Sequence, residues 1–318
     1  MAIITSPTLP IKQITWSLDR PAQVNRSIYT GVRHVVANPW HGAWSAKVDL
    51  AVVQGEANFL ALRAFFAQLR GQVNTFKLPA TEGPQYTGSD SSTIDAVAQG
   101  ANQAALGTLG ANLDTNPGNP FSATTGWTAS GATLSVVSNN LRVTNSGSAQ
   151  GKAYQDVAVT PGQIYRTYFS IVAGGSCQVG DTSGSPTQYI NYVGPGASPA
   201  YFTPTTSSVR LTFINNSATN GATADLGLFD FHQVTPPPLV AGQYVTFPLP
   251  SGNYQMVTLT GVSPMMTFEP PLREGVAAST TVETISPYCL VALDQSSFSW
   301  NVAQWRLYGL SFGVEEAF

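Results

Sequence analysis

Along residues 11–19 polar and apolar positions alternate, with Ile14, Trp16 and Leu18 on one face and Ile11, Gln13, Thr15 and Ser17 on the other. A period of two predicts a half-buried strand. Residues 29–37 and 44–53 predict two more. The Asn38-Pro39-Trp40-His41-Gly42 stretch between them carries turn residues, so the pattern predicts a hairpin there. The period then changes. Phe59, Leu62, Phe66 and Leu69 recur at intervals of three and four and predict one helix over about 55–70. Glu56 in its first turn and Arg70 in its last match the helix dipole, and Gly71 is placed to stop it. A strand follows at 73–78, ended by Pro79.

A long turn-rich region comes next, rich in Ser, Asp and Gly over 81–100 and containing Asn116-Pro117-Gly118-Asn119-Pro120. Short strand signals then arrive at close spacing: 133–137, 140–144, 151–157, 164–173, 188–193, 200–203, 209–215 and 224–234. Strands so spaced, separated by turn residues, predict a sandwich or jelly roll. Pro236-Pro237-Pro238 forms a stiff exit, because each ring fixes φ and cannot join a ladder. Strand patterns resume at 242–247, 254–260, 265–269, 281–286, 289–294, 298–302 and 305–314, and the last alternates best. A chain that ends on such a strand closes a sheet begun near its start. The expected fold class is therefore mainly β, a sandwich or barrel domain with one helix, interrupted by an inserted β-sandwich. Three parts are expected: 1–80 with 286–318, a small barrel-like extension of 81–109 with 236–285, and the insert at 110–235.

Charge sharpens this division. Only 10% of the chain is charged, against about a quarter in ordinary soluble domains. The insert carries nine charges and no Glu, while Glu56, Glu82, Glu269, Glu274, Glu283, Glu315 and Glu316 all lie outside it. Ser, Thr, Asn, Gln and Gly take the place of charge, a composition that suits sheet surfaces and turns. A net charge of −3 without a Lys/Arg cluster gives no footprint for nucleic acid. No apolar run approaches the length of a membrane span, and residues 1–10 do not read as a signal peptide. Cys177 and Cys289 fall in different expected domains and are expected to be free, buried thiols.

Few residues suggest chemistry. Gly309-Leu310-Ser311-Phe312-Gly313 matches a nucleophile-elbow pattern, but no helix and no His follow it, so it reads as the terminal strand. His34, His41 and His232 have no metal-ligand spacing, and His41 reads as a hairpin-tip or interface residue. No catalytic carboxylate pair or phosphate cradle is recognisable. The insert's aromatics are more informative, because sugar rings stack on flat side chains and sugar hydroxyls suit Asn, Gln and Asp. Trp127, Tyr165, Phe169, Phe213, Phe229 and Phe231 read as core. Tyr189, Tyr192 and Tyr201 lie near Gly-Pro-Gly and Ser-Pro turns and are the candidate carbohydrate-binding residues. Asp114, Asp225 and Asp230 bracket the ends of the insert and are candidate ligands of a structural Ca²⁺, which needs several oxygens. No other cofactor is expected.

The flanking halves resemble the distal tail protein of long-tailed bacteriophages, or a related minor tail protein. The resemblance is carried by Asn38-Pro39-Trp40-His41-Gly42-Ala43-Trp44-Ser45, the helix with Gly71-Gln72-Val73-Asn74-Thr75-Phe76-Lys77-Leu78-Pro79, Gly242-Gln243-Tyr244-Val245, Phe268-Glu269-Pro270-Pro271-Leu272-Arg273, Pro287-Tyr288-Cys289-Leu290 and the closing Tyr308 to Ala317. The insert resembles the carbohydrate-binding-module-like jelly rolls of phage tail proteins, through Gly126-Trp127-Thr128-Ala129-Ser130-Gly131, Leu141-Arg142-Val143-Thr144 and Phe213-Ile214-Asn215-Asn216-Ser217. The family implies a structural virion protein made in the host cytoplasm. It implies a ring, generally hexameric, at the distal end of the tail, contacting the tail tube protein, the hub and the tape measure protein. It implies no enzymatic activity, and the insert would meet host surface polysaccharide. The competing expectations are a tail-associated glycan hydrolase and a bacterial surface adhesin.

Overall fold

A computed structural model of the chain describes residues 2–20, 22–37, 42–87, 92–114, 121–181, 188–263, 265–296, 301–303 and 307–318. Among them the protein is mainly β with one helix. It divides into two compact units, 1–106 with 237–318, and 107–236.

The first unit holds two hydrophobic cores. One forms between the helix and a five-stranded sheet in the spatial order Ile11–Asp19, Ala43–Leu50, Ser311–Glu316, Tyr288–Leu293, Phe76–Pro79. The final strand lies at the centre of this sheet, paired on one side with Ala43–Leu50 and on the other with Tyr288–Leu293. The helix, Glu56–Leu69, buries Leu62, Phe65, Phe66 and Leu69. Phe66 meets Phe312 edge-on at 5.0 Å, and Phe65 meets Phe76 at 5.2 Å. The other core lies under a four-stranded sheet, Tyr244–Pro248, Tyr254–Gly261, Met266–Glu269 and Gln103–Ala104, around Phe247, Val257, Leu259 and Phe268.

Three local expectations are corrected. The hairpin is one element earlier: Arg33–Ala37 pairs with Ala22–Arg26, whereas Ala43–Leu50 pairs with Ile11–Asp19. Alternation identifies a strand but not its partner. The turn is made locally, with the Ser27 hydroxyl accepting from the Tyr29 and Thr30 N–H groups and Gly31 at φ +69°. The expected turn at 38–41, and His41 with it, lies outside the described residues, as do the whole 116–120 segment and residues 298–300 of the expected 298–302 strand. At the helix end Arg70 itself is left-handed, at φ 50°, ahead of Gly71. The terminal run is two strands. Leu307–Gly309 pairs with Asn301–Ala303 and Val53–Gln54, and the chain changes sheet at Leu310, whose carbonyl accepts from the Leu50 N–H.

The second unit is a sandwich of two antiparallel sheets. One runs Thr128–Ser130, Lys152–Ala158, Ser208–Asn215, Gly175–Asp181, Gln188–Val193. The other runs Ala132–Val137, Asn140–Asn145, Thr223–Thr235, Ile164–Ala173, Gly196–Phe202. Inward residues from alternate positions fill a single core, with Tyr165 stacked on Phe231 at 5.4 Å and Trp127 edge-on to Phe229 at 5.5 Å. Asn215, fully buried at the end of one sheet, donates to the carbonyl of Val143 in the other and to that of Ala222. Asn145 donates to the carbonyls of Ser217 and Thr219 and accepts from the Gly151 N–H.

Candidate functional site

The three tyrosines singled out by their turns occupy different places. The Tyr189 ring stacks on the core residue Phe202 at 5.2 Å, and its hydroxyl accepts from the Thr205 N–H at 3.0 Å. Tyr192 also packs against the sandwich core. Tyr201 lies on the outward face of the second sheet, opposite Arg166, which in turn is opposite His232. Two residues along the strand, Tyr168 faces Asp230. The polar groups of this face serve one another. Arg142 grips Asp225 through two bonds of 2.7 Å, Arg166 Nη1 donates to Asp230 Oδ1 at 3.0 Å, and His232 Nδ1 lies 2.9 Å from the Gly110 carbonyl oxygen. Asp225 and Asp230 are therefore engaged by arginines rather than gathered with Asp114 around a cation. Among the described residues no group of three or more His, Cys, Asp or Glu side chains is arranged to hold a metal ion.

The outward face of the five-stranded sheet is different. Antiparallel register places Thr128, Tyr154, Thr212, Gln178 and Asn191 in one row across its five strands. With strands about 4.8 Å apart, such a row is about 19 Å long. Asp156 and Arg210 face each other in the next row, and Lys152 lies on the other side of Tyr154 along its strand. Arg210 donates from Nε and Nη2 to the two Asp156 oxygens at 2.7 and 2.8 Å, which raises its pKa further above the ordinary range. Its guanidinium carbon lies 4.2 Å from the Tyr154 ring centroid. At the far end of the row Gln178 Nε2 donates to Asn191 Oδ1 at 3.4 Å. Tyr154 and Gln178 are half-buried, and Lys152, Asp156 and Asn191 are exposed.

Such a surface combines a ring for a sugar's C–H face with amides and a fixed guanidinium for its hydroxyls. The sequence held a usable signal for it. In 152–158 the small or apolar Ala153 and Val157 alternate with Lys152, Tyr154 and Asp156, so an aromatic flanked at both second neighbours by charge points outward. Proximity to turns does not mark Tyr154, because it sits in mid-strand.

Solved structures similar to this chain include the enzymatically active domain of bacteriophage CBA120 tailspike protein 4, at 17% identity over 39% of this chain and 21% of that one, with a TM-score of 0.31. The carbohydrate-binding module TmCBM61 in complex with β-1,4-galactotriose matches at 14% identity over 39% of this chain and 99% of the module, with a TM-score of 0.28. The arabinose-bound α-L-arabinofuranosidase MgGH51 matches at 17% identity over 48% of this chain and 31% of the enzyme, with a TM-score of 0.29. The chain spans about a fifth of the tailspike structure's length. At these identities the likeness concerns the fold. No protein-family model and no curated protein sequence matches the chain. The expectation of a chain without enzymatic activity is corrected: an enzymatically active tailspike domain and an arabinofuranosidase stand among its structural neighbours, so absence of catalysis is no part of the reading. Among the described residues no helix is long and apolar enough to cross a membrane.

Proposed function

We propose that the protein is a structural component of a phage tail tip, a subunit of a ring joining tail tube to hub, whose inserted sandwich holds host cell-surface glycan on the outward face of its five-stranded sheet. The ring half of this reading is supported by the ordered sequence resemblance of the flanks to distal tail proteins. A protomer with few charges also suits large interfaces, because burying unpaired ions is costly. The glycan half rests on one observation, the row in which Tyr154, braced by Arg210 and Asp156, shares a face with Gln178 and Asn191. In this reading the protein resides at the tail tip of the virion. Its partners are further copies of itself, most simply six, the tail tube, hub and tape measure proteins, and host surface polysaccharide.

Two measurements on the full chain test the halves separately. Electron microscopy of the purified protein with the neighbouring tail proteins is expected to show rings, and monomers under all conditions would refute the ring. Cosedimentation with host cells is expected to carry the wild-type chain down and to leave Tyr154→Ala in the supernatant. Equal sedimentation of both would remove this face from the glycan site.

A further inference from the structure

The two outward faces of the sandwich differ in charge, and the difference bears on which glycan the exposed row takes. On the face containing Tyr201 the ionised groups form two arginine–aspartate pairs, Arg142–Asp225 and Arg166–Asp230. On the face containing Tyr154 the ionised groups are Lys152, Arg210 and Asp156, a net charge of +1. The insert as a whole has four basic and five acidic residues and is net −1. The positive face is thus a local feature and does not follow from the domain's overall charge.

The placement of the two cations fits recognition of an anion. Asp156 engages two N–H groups of Arg210, which leaves three of the five guanidinium donors for a ligand. The same aspartate and the Tyr154 ring hold the guanidinium in one orientation, so little side-chain freedom remains to be lost on binding. Lys152 is exposed, next but one to Tyr154 along the strand, and has no carboxylate partner among the described residues. A sugar ring against Tyr154 would therefore lie between a fixed fork of donors and a free ammonium.

We infer that this face takes an anionic glycan, a polysaccharide bearing carboxylate or phosphate groups along its sugar chain; this rests on the glycan-binding reading above. Attraction to such a ligand is screened by salt, because both cations are solvent-facing.

An array of bacterial surface glycans, probed with the full chain, tests the inference. The array includes neutral polysaccharides, uronate-containing ones and phosphodiester-linked ones, so its arms tell carboxylate from phosphate. The expected hits are anionic, their binding falls as salt is raised, and Lys152→Gln and Arg210→Gln each weaken them by about tenfold. Unfolding curves matching the wild type would confirm that the variants are folded. Hits confined to neutral glycans, or anionic hits indifferent to salt and to Lys152→Gln, would overturn the inference while leaving glycan binding intact. No hit in any class would remove the glycan-binding reading itself, and this inference with it.

Discussion

The Arg210 guanidinium lies over the Tyr154 ring, 4.2 Å from its centroid, and is locked there by Asp156. The ion pair faces solvent, with Arg210 and Asp156 side chains at 39% and 43% exposure. Exposed pairs contribute little to folding, typically under about 1 kcal/mol. Asp156→Ala is therefore expected to leave thermal unfolding nearly unchanged. It is nonetheless expected to weaken glycan binding, because the guanidinium loses its orientation. A large loss of stability without a loss of binding would reverse the assignment of the triad from recognition to folding.

Asn215 has the opposite profile. It is fully buried and joins the two sheets, donating to Val143 and Ala222 carbonyls and accepting from the Ser217 N–H at 3.1 Å. Removing it takes one hydrogen bond from each of three backbone groups, of which the Ala222 carbonyl still accepts from the Asn145 N–H, at roughly 1 kcal/mol per bond. Asn215→Ala should lower the denaturation midpoint of the inserted unit strongly, as read by chemical unfolding followed through Trp127 fluorescence. A shift within error would mean that the sheets are held by core packing alone.

Glu316 predicts a pH dependence. It is buried on the last strand, and its Oε2 accepts from the Trp44 N–H at 3.0 Å and from Arg273 Nη2 at 3.4 Å. Burial outweighs the Arg273 charge and raises its pKa from 4.5 to about 7. Because the folded state holds this proton more tightly than the unfolded one, the group costs nothing below about pH 4.5, and stability falls as pH rises from there to about 7. The loss is on the order of 3 kcal/mol. Unfolding measured from pH 5 to 8 should show this decline in the wild type and a flatter profile in Glu316→Gln. Parallel profiles would sink the claim.

The cysteines give a quick check on both units. Cys177 and Cys289 are free and buried, and burial pushes both thiols well above their ordinary pKa. Neither should react with a thiol reagent in the native protein, and both should react in denaturant. Rapid native labelling of one would show that its unit opens locally.

What the sequence made legible follows from what periodicity encodes. The 11–19 strand and the helix were readable because one face of each is turned toward the core, half-buried at Ile14, Trp16 and Leu18 and buried at Leu62, Phe66 and Leu69. The sandwich was readable from its many short strands and turns, and the aromatics assigned to its core, such as Phe213, Phe229 and Phe231, are fully or almost fully buried. Pairing was not readable, as the displaced hairpin at 22–37 shows, because alternation is the same whichever strand lies alongside. The split at Leu310 was hidden because alternation continues across a change of sheet. The site was only partly legible. Turn proximity points to Tyr189, whose ring the fold uses against Phe202; charge alternation turns Tyr154 outward, but only register sets it beside Thr212, Gln178 and Asn191.

Glycan binding by the face bearing Tyr154 is tested most directly by a calorimetric titration of the full chain with its best array ligand, comparing wild type with Tyr154→Ala. A central aromatic contact of about 2 kcal/mol predicts a roughly thirtyfold weaker dissociation constant for the variant, with unchanged unfolding. Equal affinity of the two proteins would contradict the account.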